Sequence, residues 1–470
     1  MTTNIRFFYN NLLDISTVSL TASSESTNMP AENVLNPLKS IPWQTTGVDF
    51  EHLDIDLGQN YQAKAFAAAG INYTENAKII LCADNSETFY QDIDSNHIGF
   101  WKFNGDLTDA GSSENDLTGA TVATTDYFAA RQDRALQFNG TDAYCYIPDA
   151  DASDFDFAAS DDFSIEIWFD LEPGIGQSGL ISKWDGTKGF YLEIDADKKV
   201  HFKASDGTNT DEITSSTAVT ADRWYHAAIS ADRDGQLNLY IDGSTAATPV
   251  SMTTSDLSNS SNFRIARHET YYLAGSVAMA GVSNSVRDAD YMNDASNTPM
   301  MIKEIENDSD NKILLECFNG QYARYWRLII ADENNTDGYL NTGIVYIGDW
   351  FEPQRNYHGN WSRKIIDPSK VTTTSNNVEF SDIRKSYIEI DLSFPREVQI
   401  PQSDIEQYEE MFSKVGTHKR LFIALDYGNH PRDWSYYGTL TGSRSISHLP
   451  ATSHTDGRWI IPNLRFKESR

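Results

Sequence analysis

The chain is short of cysteine, short of basic residues and without any long apolar run, and each shortage narrows what it can be. Its cysteines, Cys82, Cys145 and Cys317, are an odd, sparse set in 470 residues. They have no metal-ligand spacing, which excludes a disulfide framework and a zinc site. Cys82 and Cys317 flank a long intervening stretch and are expected as buried thiols on adjacent strands. Lys and Arg number 37 against 68 Asp and Glu, a formal net charge of −31. With no basic block to offset it, that field repels phosphate backbones and anionic lipid, so no nucleic acid is expected as a partner. Ca²⁺, neutral sugars, a high-salt habitat or plain solubility all suit it. No apolar stretch approaches a membrane span, and Met1 to Arg6 lacks the apolar core of a signal peptide. Synthesis in a cytoplasm without direct membrane insertion is the expectation. The 10 histidines stand singly, and neither a nucleophile elbow nor a phosphate-cradling glycine loop occurs. Catalysis has no anchor, so the chain is expected not to be an enzyme.

What is present is β-forming. Apolar residues make up 40% and aromatic residues 12% of the chain, enough for packed cores, and the length exceeds what one core can serve. Leu53, Ile55 and Leu57 alternate with Asp54, Asp56 and Gly58, as do Phe163, Ile165, Ile167 and Phe169 with Ser164, Glu166, Trp168 and Asp170, the period of a strand. Asp234-Gly235 and Asp242-Gly243 suit tight turns. One helix is expected where Ile405, Tyr408, Phe412 and Val415 recur at helical spacing, with Ser403 or Asp404 as cap and Gly416 as stop. Strands follow over 420–426, 434–442 and 458–466.

Three resemblances organise this pattern. The run from Pro30-Ala31 to Leu35, Trp43 in its turn, the strand Leu53 to Gly58 and the closing Arg324-Tyr325-Trp326-Arg327-Leu328 resemble the discoidin family of β-sandwiches (the coagulation-factor C-type fold). The segments GFWKFNGDLTDAG, RALQFNGTDAYCYIP, DDFSIEIWFDL, GLISKWDGTKGFYLEID, RWYHAAISADRDGQLNLYIDGS and YYLAGSVAMAGVSNSVRDADYM succeed one another as in laminin-G-like, concanavalin-type lectin domains. Finally IVYIGDWFEP, the helix, LFIALDYGNHP, YYGTLTG and Trp459, Leu464, Phe466 and Glu468 resemble tail-tip or baseplate proteins of tailed bacteriophages. The implied fold is mainly β. A discontinuous discoidin-like sandwich (1–95 plus 297–353) is interrupted by a laminin-G-like jelly-roll sandwich (96–296) and followed by a small α+β docking domain (354–470). A sandwich whose termini meet on one edge can be spliced into a loop in this way.

The resemblance implies a virion structural protein of a phage tail tip that binds host-surface glycans without catalysis. Its partners would be other tail-tip or baseplate proteins and further copies of itself in a threefold or sixfold ring. A purely architectural tail component and a polysaccharide-degrading enzyme are the alternatives. Discoidin-like modules often hold Ca²⁺, but here the two ligand positions fall near Asn36-Pro37 and on Gly343, which lack hard oxygens. Laminin-G-like domains place Ca²⁺ at positions matching Asp106, Asp109, Asn139 and Asp142; turn residues facing water are the competing reading. Stacking aromatics for sugar would be Trp184, Tyr191, His268, Tyr271 and Tyr272, set against a core role for each. Adjacent strand residues point to opposite faces, so only one of Tyr271 and Tyr272 can face a ligand. Retaining glucanases of this fold carry E-x-D-x-x-E on one strand. The nearest run, Glu193-Ile-Asp195-Ala-Asp197-Lys198, has lysine at the acid position and reads as a hairpin turn.

Overall fold

The computed structural model describes residues 4–469 except 175, 308–312, 358–360, 374–376, 378, 395–399, 432, 443–444, 450–457 and 462. Antiparallel sheets dominate, and the helices are Ala289–Ser296 and Gln402–Val415. Among the described residues no helix is long and apolar enough to cross a membrane. The chain divides into two compact units, one made of Met1–Asn85 with Lys303–Arg470 and an inserted one, Ser86–Ile302.

In the discontinuous unit, distant segments pair in one sheet. Strand Ile313–Ala331 lies between Glu51–Ala69 and Lys78–Asp84, with Trp326 opposite both Ile55 and Ala83. The alternation read from sequence decides the faces. Leu53, Ile55 and Leu57 are buried, whereas Asp54 and Asp56 accept paired hydrogen bonds of 2.6–2.7 Å from Arg327 and Arg324. Trp43 is wholly buried, and its indole N–H donates to the Ser24 carbonyl at 3.0 Å. Cys82 lies opposite Arg327 and Cys317 opposite Ala65, so the two sit on adjacent strands at different levels.

Residues beyond 354 continue this sheet. Strand Arg6–Asn11 pairs on one edge with Ile344–Phe351 and on the other with Leu421–Ala424, so sheet and core run on past residue 354. Phe7 and Phe351 share a core with Tyr408 and Met411 of the helix and with Leu464 and Phe466. The helix stops at Gly416, whose φ of 53° suits glycine. Its cap differs from expectation: Pro401 holds the N-cap position, and Asp404 turns inward to accept the Gln354 backbone N–H at 2.8 Å.

The inserted unit is two sheets face to face. One runs Thr210–Ala218, Lys199–Asp206, Lys188–Ile194, Ser178–Trp184, Phe263–Ile265, Tyr144–Ile147, Thr118–Ala120; the other is centred on Phe163–Leu171, Ala274–Ser283 and Tyr225–Ala231. Phe163, Ile165, Ile167 and Phe169 from one sheet meet Phe190, Leu192 and Ile194 from the other in a shared core. Its incoming strand His97–Trp101 pairs with its outgoing strand Ala274–Ser283. Arg287 clasps Asp94 through two bonds of 2.6 and 2.7 Å.

Candidate functional site

The alternation that buries Phe190, Leu192 and Ile194 turns Tyr191 and Glu193 to the outer face of their sheet. Register places Tyr191 opposite Lys203 and Ser182, and Glu193 opposite His201 and Gly179. A short hairpin, Arg267–His268 against Tyr271–Tyr272, crosses this face. Two non-glycine residues in the left-handed region shape it, Ala266 at φ 67° and Glu269 at φ 49°. Such backbone costs about 1 kcal/mol each and gathers where a ligand site is built. Gly179 makes room beneath, since a Cβ there would fall 2.0 Å from the His268 nitrogen and 2.4 Å from the Arg267 carbonyl carbon.

Four rings converge on this patch. Tyr191 and His268 stack at 3.7 Å, and Trp184 meets Tyr191 edge-on at 5.2 Å. Tyr271, 37% exposed, tilts toward His268 at 6.3 Å. The indole N–H of Trp184 donates to Glu269 at 3.2 Å. Below the rings, Glu193 receives His201 Nδ1 at 3.2 Å on one oxygen, and His268 Nδ1 at 3.0 Å with Gln177 Nε2 at 2.9 Å on the other. Burial pushes its carboxyl up, but the donors from His201, His268 and Gln177 outweigh it and hold the group down at about 2. An ionised carboxylate only accepts, so each facing Nδ1 carries the proton. The other nitrogen of His268, Nε2, has no hydrogen-bond partner although the residue is 4% exposed.

Of the five aromatic and imidazole residues read from sequence, Trp184, Tyr191, His268 and Tyr271 come together. Tyr272 turns away, lying 6.0 Å from the Tyr144 ring and under the Arg267 guanidinium at 4.9 Å. Sequence reasoning missed Glu193 as the anchor, along with His201, Gln177 and Glu269. The histidines read as isolated are not so in space, for two of them meet on one carboxylate. A period-two reading that paired Glu193 with His201 across the 195–199 turn would have found half of this cluster. That turn is a hairpin: Asp195 accepts the Asp197 and Lys199 backbone N–H groups at 2.9 Å, and Lys198 is left-handed at φ 62°.

The four positions matched to Ca²⁺ all make hydrogen bonds within local turns. Asp109 spends its oxygens on the backbone N–H groups of Phe100, Gly111 and Asn115 at 2.7–2.8 Å. Asp106 accepts from Thr108 at 2.7 and 3.0 Å. The Asn139 side-chain oxygen takes three backbone N–H groups at 3.0–3.1 Å, while its amide donates to Asp142 at 2.7 Å. Among the described residues no three His, Cys, Asp or Glu side chains form a metal group. These residues build turns.

A cavity of about 500 Å³ in the discontinuous unit has Phe8, Leu13, Tyr346 and Phe422 in its wall. Its cations are engaged, Lys419 with Asp14 at 3.3 Å and Arg420 with Ser469 at 2.9 Å.

Residues 139–291 match the Laminin_G_3 family, described as the Concanavalin A-like lectin/glucanases superfamily. The inserted unit carries a concanavalin A-like lectin domain. No curated protein matches the chain. Among solved structures, the chain is similar to domain 4 of AbnA, a GH43 extracellular arabinanase from Geobacillus stearothermophilus, in complex with arabinotriose. The identity is 16% and the TM-score 0.35, over 43% of this chain and 98% of that one. It is similar also to the CBM40 of the Ruminococcus gnavus IT-sialidase bound to alpha2,3 sialyllactose, at 17% identity and TM-score 0.30 over 34% and 96%. The binding domain of Paraclostridial Mosquitocidal Protein 1 aligns over 80% of this chain and 92% of its own length, at 11% identity and TM-score 0.39.

The lectin-like domain should lose stability in acid. Burial holds the His97 imidazole below its usual range. Burial is likewise outweighed by donors at Glu193, while Lys188 and Ser258 hold the Asp256 carboxyl down, each to about 2. Arg287 lowers Asp94 further still. In every case the unfolded chain binds the proton more readily, so stability present at neutral pH falls as pH drops. The His97 contribution goes below about 6.5, and the carboxylate contributions go from about 4.5 downward. Calorimetry of the full chain from pH 7.5 to 3.5 should show the transition temperature falling steadily; a flat profile would contradict this account.

Proposed function

We propose that this chain binds glycans without catalysis, and that its lectin-like domain does so through Trp184, Tyr191, His268 and Tyr271. One observation carries the reading: an unpartnered, buried imidazole nitrogen lies in a ring cluster of which Trp184 and Tyr271 are partly exposed. Aromatic faces stack on the C–H faces of sugars, and a few buried polar atoms fix the hydroxyls. The family match at 139–291 supports the same reading. No step of bond cleavage is assigned, because Glu193 is already held by two imidazoles and Glu269 accepts the Trp184 indole N–H.

The finer reading places the protein in a virion, at the tail tip or baseplate of a tailed phage, attaching the particle to host-surface glycan. Its support is the resemblance of IVYIGDWFEP and of Trp459, Leu464, Phe466 and Glu468 to such proteins, and of the flanking segments to the discoidin family. Neighbouring tail proteins and a threefold or sixfold ring of copies would be its partners, and a ring makes weak single sites adhere firmly. The test is a glycan array with the full chain and with a chain lacking 86–302. The discontinuous unit holds the flanks together without the insert, since the Ile305 backbone N–H donates to the Ile79 carbonyl at 2.8 Å. The shortened chain is expected to fold and to lose binding, and chelation of Ca²⁺ to change neither result. Binding retained by the shortened chain would overturn the assignment to the lectin-like domain. Release of reducing ends from a bound glycan would replace the non-catalytic reading with an enzymatic one.

A further inference from the structure

We propose that Arg264 and Arg267, on the same sheet face as Tyr191, form a site for the carboxylate or sulfate of an acidic glycan whose uncharged rings extend over the aromatic patch. The inference rests on the glycan-binding reading above and adds a second contact and the charge of the ligand.

Strand register lays the two groups in one row. Tyr191 pairs with Ser182, Ser182 with Arg264 and Arg264 with Tyr146. Phe263 and Ile265 face the core, so Arg264 stands on the outer face with Tyr191, two strand spacings or about 10 Å away. A short oligosaccharide spans that gap. The hairpin crosses between them, held down by the Ser182 hydroxyl, which donates to the Arg267 carbonyl at 2.8 Å. On one flank His268 stacks on Tyr191. On the other the Arg267 guanidinium lies 4.7 Å from the Tyr144 ring and 4.9 Å from that of Tyr272, and Tyr144 meets Tyr146 at 5.7 Å. Tyr272, which turns away from the first patch, thereby belongs to the second.

The cations there have no carboxylate. Arg264 is half-buried and its Nε is buried without a hydrogen-bond partner; among the described residues none of its nitrogens meets an acceptor. Burial and then the neighbouring Arg267 work against its charge. Arg267 donates its Nε to the Glu269 carbonyl at 2.9 Å, which leaves its terminal nitrogens for a ligand. A guanidinium offers its donors in a fork that fits an oxyanion, and a buried donor left unmade is costly. In a chain with 68 acidic side chains, two adjoining arginines that engage none of them suit an oxyanion brought from outside. The carboxylates gather at the other end of the row, where Glu193, Glu212 and Glu269 act on the Tyr191 phenol. That opposition of charge sets the direction of the ligand, with its acidic group at Arg264.

The experiment measures binding of matched glycans to the full chain at about 0.15 M salt, where exposed charges beyond about 8 Å are screened. A galacturonate trisaccharide is set against its methyl ester, and sialyllactose and sulfated lactose against lactose. A charged form is expected to bind about tenfold tighter than its uncharged mate, the gain of one charge-assisted hydrogen bond. Which pair shows it separates a uronate, a sialyl and a sulfate source. Arg264→Gln should erase the difference, and Arg264→Lys, which keeps the charge without the fork, should restore part of it. A merely structural role for Arg264 would instead lower both members of a pair alike and leave their ratio intact, which would overturn the proposal. So would parent protein that binds the uncharged forms with no gain from charge, an outcome that leaves the glycan reading standing. If no form binds, the glycan reading itself fails and this inference goes with it.

Discussion

Glu166→Ala is expected to destabilise the lectin-like domain by about 3–5 kcal/mol, the range for removing one member of a buried charged network. Glu166 lies on the outer face of its sheet, opposite the core residues Ile165 and Ile167, yet it is 3% exposed because helix Ala289–Ser296 and the segment before His97 cover it. Its oxygens accept from Tyr291 at 2.9 Å, Gln91 at 2.7 Å and His226 at 3.1 Å. Burial pushes the carboxyl up, but His226 and Tyr291 prevail and hold it ionised. Truncation leaves three donors without their acceptor. For a domain of this size such a loss lowers the transition temperature by roughly 6–20 °C. Glu166→Gln keeps one oxygen for Tyr291 and should cost less. A shift of a degree or two in the alanine variant would show that the network is solvated and contributes little.

Gly179→Ala should abolish glycan binding while leaving the sandwich folded. The added methyl would sit inside the backbone of Arg267 and His268, so the hairpin must lift from the sheet. Lifting it breaks the His268–Glu193 bond and the stack on Tyr191 together. Overpacking against backbone costs about 1–3 kcal/mol, which a core of this extent survives. Trp184 fluorescence should change with the lost contacts. Unaltered glycan affinity in this variant would mean that the hairpin is not part of the site.

The inserted sandwich could be read from the chain because its strands alternate cleanly and its turns carry Asp-Gly pairs; Phe163 to Phe169 and Phe190 to Ile194 face the core as their spacing dictates. The helix was equally plain, except at its start, where Asp404 serves a tertiary bond to Gln354 instead of its own cap. Propensity cannot anticipate that, since the competing partner comes from another part of the chain. The site was half visible. Aromatics at Trp184, Tyr191 and Tyr271 advertise themselves by type, but Glu193 was obscured by its likeness to a broken glucanase run, and His201 and His268 gave no local signal of meeting. A division at residue 354 follows naturally from the change of texture there, yet strand Arg6–Asn11 carries one sheet across it, a long-range pairing that leaves no mark in either neighbourhood.

That strand also bears on how the molecule is made. Residues 6–11 leave the ribosome long before 344–351 and 421–424, the segments that flank them in the sheet. The inserted sandwich, encoded in between and self-contained, can therefore ripen while its carrier still waits for its final ribbons. During that interval Phe7 and Phe8, both destined for the interior, are uncovered.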